Sequence, residues 1–250
     1  MKALITGASS GIGEKIAYEL SSRNYDLILV SQNIQKMKKV ADNCKTEVDI
    51  IECDLRKKEN VIKLYEKIKN ENIEVFVNNA GFGLFGEFWE TDLDRELEMI
   101  DVNIKAVHIL TKLILTKFMK QNRGYILNVA SSAGFMAGPK LSTYYATKNY
   151  VLRLSEAIYE ELHRQKSNVK ICVLCPGPVN TNFNKTAGGK FNIKGQSSDF
   201  VAKYAINKMF KNKLIIIPGI KIKLAIFFSR FVPTKLLLKM TYNIQEKKNK

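Results

Sequence analysis

Residues 6–13 read "TGASSGIG", and this stretch decides which fold the rest of the sequence must support. It follows the apolar run "KALIT", which predicts a first strand, and it leads into the amphipathic run "IGEKIAYELSSRN", which predicts a first helix. The glycines at positions 7, 11 and 13 permit positive φ angles and a close approach of the backbone to another group. Such a turn at a helix N-terminus is suited to the pyrophosphate of a dinucleotide. The alternative is a tight strand-to-helix turn without a ligand.

Short apolar runs alternate with helical patterns along the rest of the chain. Further strands are predicted at residues 25–31, 47–54, 73–81, 124–132, 169–177 and 213–219. Helical patterns lie between them, including 91–121 and 143–164. Seven strands separated by helices predict an α/β protein, a single doubly wound Rossmann domain whose parallel sheet has about seven strands and helices on both faces. We expect this domain to cover residues 1–218 and a basic amphipathic C-terminal extension to cover residues 219–250.

Polar, mostly Gly-containing clusters follow several of the predicted strands. They read "ECDL" at 52–55, "NNAG" at 78–81, "SSAG" at 131–134 and "PGPVNTN" at 176–182. In a doubly wound sheet, ligands bind beyond the carboxyl ends of the strands. We therefore expect these clusters to surround one cleft at that edge, together with the Gly-rich turn.

The chain is strongly basic, with 40 Lys and Arg against 24 Asp and Glu and a net charge of +16 over 250 residues. Only seven of the basic residues are arginine, which base-reading sites favour, so no nucleic-acid partner is expected. The excess is concentrated at residues 211–250, which hold ten basic residues and one acidic residue. Within them, residues 220–240 mix Phe and Leu with Lys and Arg. That mixture fits an anionic membrane surface, a cover for the cleft or a contact between subunits.

The four cysteines and the chain start bear on the compartment. Cys172 and Cys175 have CxxC spacing but lie on a predicted strand, where positions i and i+3 point to opposite faces. We interpret them as core cysteines in a reducing compartment, and no metal site is predicted. Neither a signal peptide nor a membrane-spanning run is recognisable. The expected location is the cytoplasm, with attachment to a membrane periphery as the variant.

The stretch "STYYATKNY" at residues 142–150 holds two tyrosines and a lysine within a predicted helix. Tyr144 and Lys148 form an i, i+4 pair, and Tyr145 and Lys148 form an i, i+3 pair. Both spacings place the side chains on one helix face, so spacing alone leaves both tyrosines as candidates. A nearby ammonium favours the phenolate and lowers the pKa of a tyrosine, which suits proton exchange.

Five motifs together resemble the short-chain dehydrogenase/reductase family. They are "TGASSGIG", "NNAG", a serine thirteen residues before a tyrosine, the Tyr-x-x-x-Lys pair itself, and "PG" followed by "VNT". They occur in the family's order between residues 6 and 181, and the strand pattern extends the likeness to residue 217. The resemblance implies an oxidoreductase that interconverts a carbonyl and an alcohol by hydride transfer with NAD(P), in the direction of NADPH-dependent reduction.

The resemblance also implies four catalytic residues. The family's tyrosine precedes its lysine by four positions, which selects Tyr144 over Tyr145 for the proton transfer. Lys148 is expected to lower the pKa of Tyr144 and to hold the nicotinamide ribose. Ser131 is expected to position the substrate oxygen. Asn103, in "MIDVNIKAV", is expected to hold a water in a relay to the lysine.

The same resemblance implies a cofactor site along the carboxyl edge of the sheet. Asp54 is expected to contact the adenine, and Thr181 is expected to hydrogen-bond the nicotinamide amide. The full set of expected cofactor-binding residues is Gly7, Ser9, Ser10, Gly11, Ile12, Gly13, Ser31, Gln32, Asn33, Asp54, Leu55, Asn79, Ala80, Gly81, Tyr144, Lys148, Pro176, Gly177, Val179 and Thr181.

The end of the second strand bears on the choice between NADP(H) and NAD(H). It reads "LVSQN" at 29–33 and has no acid, whereas an acid there would bind the ribose 2′-OH and repel a 2′-phosphate. Ser31, Gln32 and Asn33 can hydrogen-bond a phosphate, and Lys36 lies close by in the sequence. NADP(H) is therefore favoured, with NAD(H) as the alternative.

The remaining expectations concern partners and alternatives. Residues 182–198 are polar and Gly-containing, and we expect them to close over the substrate as a lid. The substrate is expected to be a small-molecule carbonyl or alcohol, and the resemblance implies a homodimer or homotetramer. Two alternatives stay open: a catalytically silent NADP-binding sensor or scaffold, and a protein attached to a membrane through its basic tail.

Overall fold

The computed structural model describes residues 1–181, 183, 187 and 195–248, with side chains to Glu246. The strands are β1 (Lys2–Thr6), β2 (Asp26–Ser31), β3 (Val48–Glu52), β4 (Ile73–Asn78), β5 (Tyr125–Val129), β6 (Lys170–Leu174) and β7 (Ile215–Ile216). The helices of this part of the chain are α1 (Gly11–Ser21), α2 (Ile34–Ala41), α3 (Lys58–Ile68), α4 (Leu93–Ile100), α5 (Val107–Gln121), α6 (Ser142–Arg164), α7 (Ser198–Met209), α8 (Ile220–Ser229) and α9 (Thr234–Lys248). Each strand lies within a predicted apolar run, because these runs are too short for helices and are bounded by turn residues.

The strands form one sheet in the order β3-β2-β1-β4-β5-β6-β7, and every pair of neighbours is parallel. The order reverses between β1 and β4, which is where an open α/β sheet leaves a crevice beyond its carboxyl edge. This architecture confirms the predicted α/β fold class with a doubly wound parallel sheet.

The core lies on both faces of the sheet because the central strands are apolar on both sides. Leu4 and Ile5 are neighbours on β1 and belong to two different buried clusters. The cluster around Ile5 includes side chains of α1 and α7, and the cluster around Leu4 includes side chains of α3 and α5. Cys172 and Cys175 are buried in separate clusters as free thiols, which confirms their interpretation as core residues.

The long helix predicted at residues 91–121 is interrupted. Helix α4 ends at Ile100, a π-helical turn covers Asp101–Ala106, and α5 continues from Val107. Asn103 is fully buried in the π-helical turn. Such turns inside α-helices are frequent at functional sites, and a hydrophobic pattern gives no sign of them.

The C-terminal helix pair, α8 and α9 (residues 220–248), follows the last strand. Pro233 separates the two helices, as predicted from its inability to continue a helix. On α8 only Ile226 is buried. Large apolar side chains of the pair that are exposed are Ile220, Leu224, Phe227, Phe228, Phe231, Leu236, Met240 and Ile244. Neither helix, nor any other in the described residues, has the length and apolar character needed to cross a membrane.

Candidate active site

A cleft of about 510 Å³ opens at the carboxyl edge of the sheet. All the polar clusters predicted to gather there contribute side chains or backbone to its wall. The expected site residues that line it are Gly7, Ser9, Ser10, Gly11, Ile12, Ser31, Gln32, Leu55, Asn79, Ala80, Gly81, Ser131, Tyr144, Lys148, Pro176, Gly177, Val179 and Thr181. Gly13, Asn33, Asp54 and Asn103 are not among the residues that line it.

The phosphate turn, residues 6–13, is held in shape by close packing at its glycines and by the side-chain amide of Asn79. Gly7 and Gly11 have φ angles of 65° and 60°, which favour glycine. A Cβ at Gly13 would lie 2.5 Å from Asn79 Nδ2 and closer still to Gly7 O. Asn79 Nδ2 donates to Thr6 O at 3.0 Å and to Gly7 O at 3.1 Å. Asn79 therefore ties the turn to the end of β4, and the glycine spacing is a packing requirement.

The N-terminus of α1 faces the cleft. Ser10 caps the helix with extended backbone, and its side chain makes no hydrogen bond to the first helical turn. Ser9, Ser10, Gly11 and Ile12 all line the cleft at this point. Free N–H groups and the positive end of the helix dipole suit an anion such as a phosphate group.

The end of β2 presents small polar groups to the same part of the cleft. Ser31 Oγ donates to Ser9 Oγ at 2.9 Å, which joins β2 to the phosphate turn. Gln32 is exposed and lines the cleft, and its Nε2 donates to Asp54 Oδ1 at 2.6 Å. Asn33 instead caps α2 by accepting from Lys36 N at 2.8 Å. The structure thus brings two of the three predicted phosphate-binding side chains to the cleft.

Asp54 lies between two cleft residues, Cys53 and Leu55, and is paired with an arginine. Arg56 forms a two-point ion pair with it, with Nε 2.9 Å from Oδ1 and NH2 2.8 Å from Oδ2. NH1 of the same guanidinium lies 2.7 Å from Glu98. Arg56 lowers the pKa of Asp54 through this pairing. Contact between Asp54 and the adenine stays a prediction.

Tyr144, Ser131 and Lys148 meet in the cleft wall. Ser131 follows β5 with extended backbone, and its hydroxyl is placed to hydrogen-bond with that of Tyr144. Lys148 lies one turn after Tyr144 on α6 and is buried. Its Nζ donates to Val129 O at 3.0 Å and lies 5.8 Å from the centroid of the Tyr144 ring. The fold therefore brings together three of the four predicted catalytic side chains, while their roles stay predictions.

Burial controls the protonation of this group. Burial raises the pKa of Tyr144, and the hydrogen bond to Ser131 offsets only part of that rise. Burial also lowers the pKa of Lys148 to about 8. Burial thus has the largest effect on the Tyr144 pKa, and it acts against the lowering that was predicted from Lys148. Tyr144 is therefore a neutral phenol at neutral pH.

Asn103 acts as a clamp behind the cleft. Its Oδ1 accepts from Phe82 N at 3.1 Å, and its Nδ2 donates to Phe82 O at 2.8 Å and to Thr147 Oγ1 at 3.1 Å. A Cβ at Gly81 would lie 2.8 Å from Asn103 Oδ1 and 3.3 Å from Lys148 Nζ. The amide thus fixes the segment after β4 beside α6. The water relay implied by the resemblance stays a prediction.

The segment after β6 forms the opposite wall. A Cβ at Gly11 would lie 3.1 Å from Thr181 Cγ2, so Thr181 packs close to the phosphate turn. Thr181 Oγ1 accepts from Phe183 N at 3.2 Å, and the Phe183 ring lies 5.2 Å from that of Tyr144. Of the predicted lid at 182–198, positions 182, 184–186 and 188–194 lie outside the described residues.

Several cleft residues were missed in the sequence. They are Arg56, Arg95, Val102, Val129, Ala130, Leu141 and Gln245. Arg56 could have been found, because it lies two residues after Asp54 in a polar cluster. Gln245 carried no local signal, because nothing in the tail indicates that it returns to the cleft.

The C-terminal helix pair reaches the cleft through α9. Gln245 Nε2 donates to the Tyr145 hydroxyl at 2.8 Å. Tyr242 donates to Glu87 Oε1 at 2.9 Å, and Lys140 pairs with Glu246. Three roles were considered for the tail: a membrane contact, a cleft cover and a subunit contact. These contacts directly support a cleft cover.

The chain was compared with known proteins. The sequence model described as short chain dehydrogenase matches residues 1–190. An uncharacterized oxidoreductase of Staphylococcus epidermidis is 30% identical over 210 residues, which cover 82% of this chain and 90% of that protein. Estradiol 17-beta-dehydrogenase 11 of Macaca fascicularis is 31% identical over 251 residues, which cover 97% of this chain and 83% of that protein. The solved structure of a short-chain dehydrogenase from Sphingobium yanoikuyae in complex with NADPH has a TM-score of 0.83 at 25% identity, covering 92% of this chain and 93% of that chain.

Proposed function

Because the chain belongs to the short-chain dehydrogenase family, it is an oxidoreductase that acts on CH–OH or C=O groups, and we propose that it reduces a largely apolar ketone with NADPH. The observation that carries the proposal is the meeting of Tyr144, Ser131 and Lys148 in the wall of a cleft that begins at the phosphate turn. Three of the four proposed catalytic residues therefore lie close together. Asn103 supports them from behind the cleft.

The residues along the cleft fit a dinucleotide. The phosphate turn offers the N-terminus of α1, and a side chain at Gly81 would fill the space beside Lys148 Nζ. Lys148 would hold the ribose hydroxyls, and Pro176, Gly177, Val179 and Thr181 would lie along the nicotinamide. A bound NADPH supplies the hydride.

NADPH is preferred over NADH in this proposal for two reasons. The end of β2 carries Ser31 and Gln32 at the cleft and no acid that would repel a 2′-phosphate. The related dehydrogenase from Sphingobium yanoikuyae was solved in complex with NADPH. NAD(H) remains the alternative cofactor.

The chain's own groups handle the proton and orient the carbonyl. Ser131 and Tyr144 hydroxyls would both point to the substrate oxygen, which fixes it at hydrogen-bond distance from the acid. Tyr144 would give its proton as negative charge develops on that oxygen, and the Lys148 ammonium would stabilise the phenolate left behind. Reduction consumes a proton at the carbonyl oxygen, and a neutral Tyr144 phenol is in the protonation state that this direction needs.

The substrate class follows from the other wall of the cleft. Phe82, Val102, Leu141 and Phe183 line it, so most of the bound molecule would contact carbon. Similarity to estradiol 17-beta-dehydrogenase 11 of Macaca fascicularis supports a bulky alicyclic or aromatic substrate. The physiological substrate would then be a ketone larger than acetone and without a charged group.

A fluorescence titration with NADPH and NADH tests the cofactor. We expect NADPH to bind more tightly, and Gln32→Asp to weaken NADPH binding by about tenfold or more through repulsion of the 2′-phosphate. Gln35→Asp is the matched control, because it adds the same charge at an exposed position of α2. Equal loss in both variants, or tighter NADH binding, would contradict the preference for NADPH.

Turnover of a ketone panel tests the catalytic group. We expect Tyr144→Phe to lower kcat/KM by about a hundredfold or more while NADPH binding is retained. Tyr159→Phe, near the other end of α6, is the control and should behave as wild type. NADPH binding without turnover of any ketone would instead support the silent sensor or scaffold.

A second proposal concerns the C-terminal helix pair, which we infer attaches the enzyme to an anionic membrane surface. Residues 219–240 carry five basic residues and no acid, all five exposed, among the exposed side chains of Phe227, Phe228 and Phe231. Exposed aromatic and aliphatic groups interleaved with cations suit the boundary between headgroups and acyl chains.

Sedimentation with lipid vesicles tests this attachment. We expect binding to phosphatidylglycerol-containing vesicles, weaker binding at high salt, and loss of binding in the double variant Phe227→Glu, Phe228→Glu. The control is Phe88→Glu with Trp89→Glu, which changes two exposed aromatics outside the tail. If vesicles are not bound and light scattering shows dimers that the tail variant dissociates, the face contacts a second copy. A homodimer or homotetramer otherwise stays a prediction.

A further inference from the structure

One side chain of the cleft wall has a buried polar atom that the fold does not use. Gln245 on α9 is 1% exposed and lines the cleft. Its Nε2 donates to the Tyr145 hydroxyl at 2.8 Å, but its Oε1 has no hydrogen-bond partner within the described residues. Glu74 and Gln196 also have such an oxygen there, and neither lines the cleft. A buried acceptor without a donor is costly, and near a binding cleft it points to a ligand.

The position of Gln245 is fixed from several sides. A Cβ at Gly138 would collide with the Tyr145 ring, so glycine lets this tyrosine pack flat against the loop before α6. Tyr242 and Glu246, on the same helix as Gln245, bond to Glu87 and Lys140 respectively. The amide is thus held by contacts on both sides of it along α9, and it is ordered before any substrate arrives.

The chemistry of the pair defines what it can bind. Gln245 Oε1 can only accept a hydrogen bond. The Tyr145 oxygen already accepts from Gln245 Nε2, and the structure gives its own proton no acceptor among the described residues. One free acceptor beside one free donor matches a hydroxyl group, which donates once and accepts as well. A carboxylate or phosphate would face the lone pairs of Oε1 and is disfavoured.

We propose that Gln245 Oε1 and the Tyr145 hydroxyl together bind a hydroxyl group of the substrate away from the reacting carbonyl. The substrate would then be a largely apolar ketone that also carries a hydroxyl group. The inference rests on the proposed ketone reduction and adds a specificity-determining site to it. Tyr145 thereby gains a part in recognition, whereas its neighbour Tyr144 transfers the proton.

The test compares ketones that differ by one hydroxyl group. Benzylacetone is paired with its para-hydroxy derivative, and decalone with a hydroxydecalone. We expect wild-type enzyme with NADPH to favour the hydroxylated member of at least one pair by about tenfold or more in kcat/KM, mainly through KM. Gln245→Leu keeps a similar side-chain volume but removes both the oxygen and the nitrogen of the amide. It should reduce that ratio to about one.

Asn243→Leu is the matched control, because it replaces an exposed amide on the same helix with the same side chain. It should retain the wild-type ratio. The double variant Tyr145→Phe, Gln245→Leu removes both partners at once and should fold as wild type by circular dichroism while showing no preference. Binding of each ketone to the NADPH complex, measured by quenching of cofactor fluorescence, reports the preference also for a pair that is not turned over.

Equal loss for both members of a pair in Gln245→Leu would mean that the amide only fastens α9, and it would overturn the proposal. Equal kcat/KM and equal binding of both members by wild-type enzyme would also overturn it. If either result is found while the enzyme still binds NADPH and reduces a ketone, the proposed function is unaffected. Failure to bind NADPH would instead overturn the proposed function first.

Discussion

The phosphate turn and the C-terminal helix pair border the same cleft but are built in opposite ways. The turn is a run of consecutive residues whose glycines allow close backbone packing. Asn79, directly after β4, closes it by hydrogen bonds to Thr6 O and Gly7 O. The helix pair exposes a row of large apolar side chains and touches the cleft through Gln245. Its polar contacts bridge 100 residues between Gln245 and Tyr145 and 155 residues between Tyr242 and Glu87. The proposed cofactor contacts thus come from rigid local geometry, and the proposed substrate contacts come from side chains of distant segments.

The largest effect is expected in the phosphate turn. Gly13→Ala places a Cβ against Gly7 O and Asn79 Nδ2, where neither backbone nor the bonded amide can give way. We expect the free energy of unfolding to fall by about 3 kcal/mol and NADPH binding to be lost. Urea unfolding and the fluorescence titration measure both. Ala8→Gly in the same turn, which adds no atoms, should lose far less; wild-type affinity in Gly13→Ala would refute the packing argument.

Substitution of Lys148 tests whether a buried side chain of the proposed cofactor site lowers the stability of the fold. Its pKa is lowered to about 8 in the folded chain from a usual 10.5, so the buried ammonium destabilises the fold below about pH 8, and this cost fades as pH rises toward 10.5. Lys148→Met should raise the free energy of unfolding at neutral pH by about 1–2 kcal/mol, after the lost bond to Val129 is deducted.

That gain should shrink in alkaline buffer, and ketone reduction should be lost at every pH. Urea unfolding at neutral and alkaline pH gives the comparison. Lys112→Met replaces an exposed lysine and should show no such pH-dependent gain. If the stability gain of Lys148→Met did not depend on pH, the buried ammonium would not be its cause.

A smaller effect is expected when the C-terminal helix pair is loosened. Ile226 is the one buried side chain of α8, and Ile226→Ala should weaken its docking by about 1–2 kcal/mol. We expect faster hydrogen exchange over residues 220–248 with little change in the midpoint of global unfolding. Ile244→Ala, at an exposed position of α9, should leave the exchange rates unchanged. A matching fall in global stability would make the pair part of the main cooperative unit.

The smallest effect is expected at the rim contact of α9. Tyr242→Phe removes the hydrogen bond from the exposed Tyr242 to the half-buried Glu87 and should cost about 0.5 kcal/mol. Preference for a hydroxylated ketone should survive, because Lys140 and Glu246 still hold the helix. Loss of that preference would show that Gln245 is positioned by this single contact.

The fold and half of the site could be predicted because their signals are local. The seven strands follow from short apolar runs, and the phosphate turn follows from glycine spacing in consecutive residues. Spacing alone left Tyr144 and Tyr145 tied; only the family resemblance separated them, and the structure then gave each its own partner, Ser131 or Gln245. The π-helical turn around Asn103 was missed because a hydrophobic pattern gives no sign of it.

The sequence by itself determined the doubly wound sheet, the phosphate turn and the set of polar clusters at its carboxyl edge, since each rests on periodicity or on backbone rules within a few residues. Tertiary structure alone decided the protonation of Tyr144 and Lys148, because their pKa values depend on how much solvent the surrounding elements exclude. It also decided that Arg56 joins Asp54 to Glu98 and that Gln245 enters the cleft. Such contacts depend on where distant segments meet in the folded chain, which no local pattern encodes.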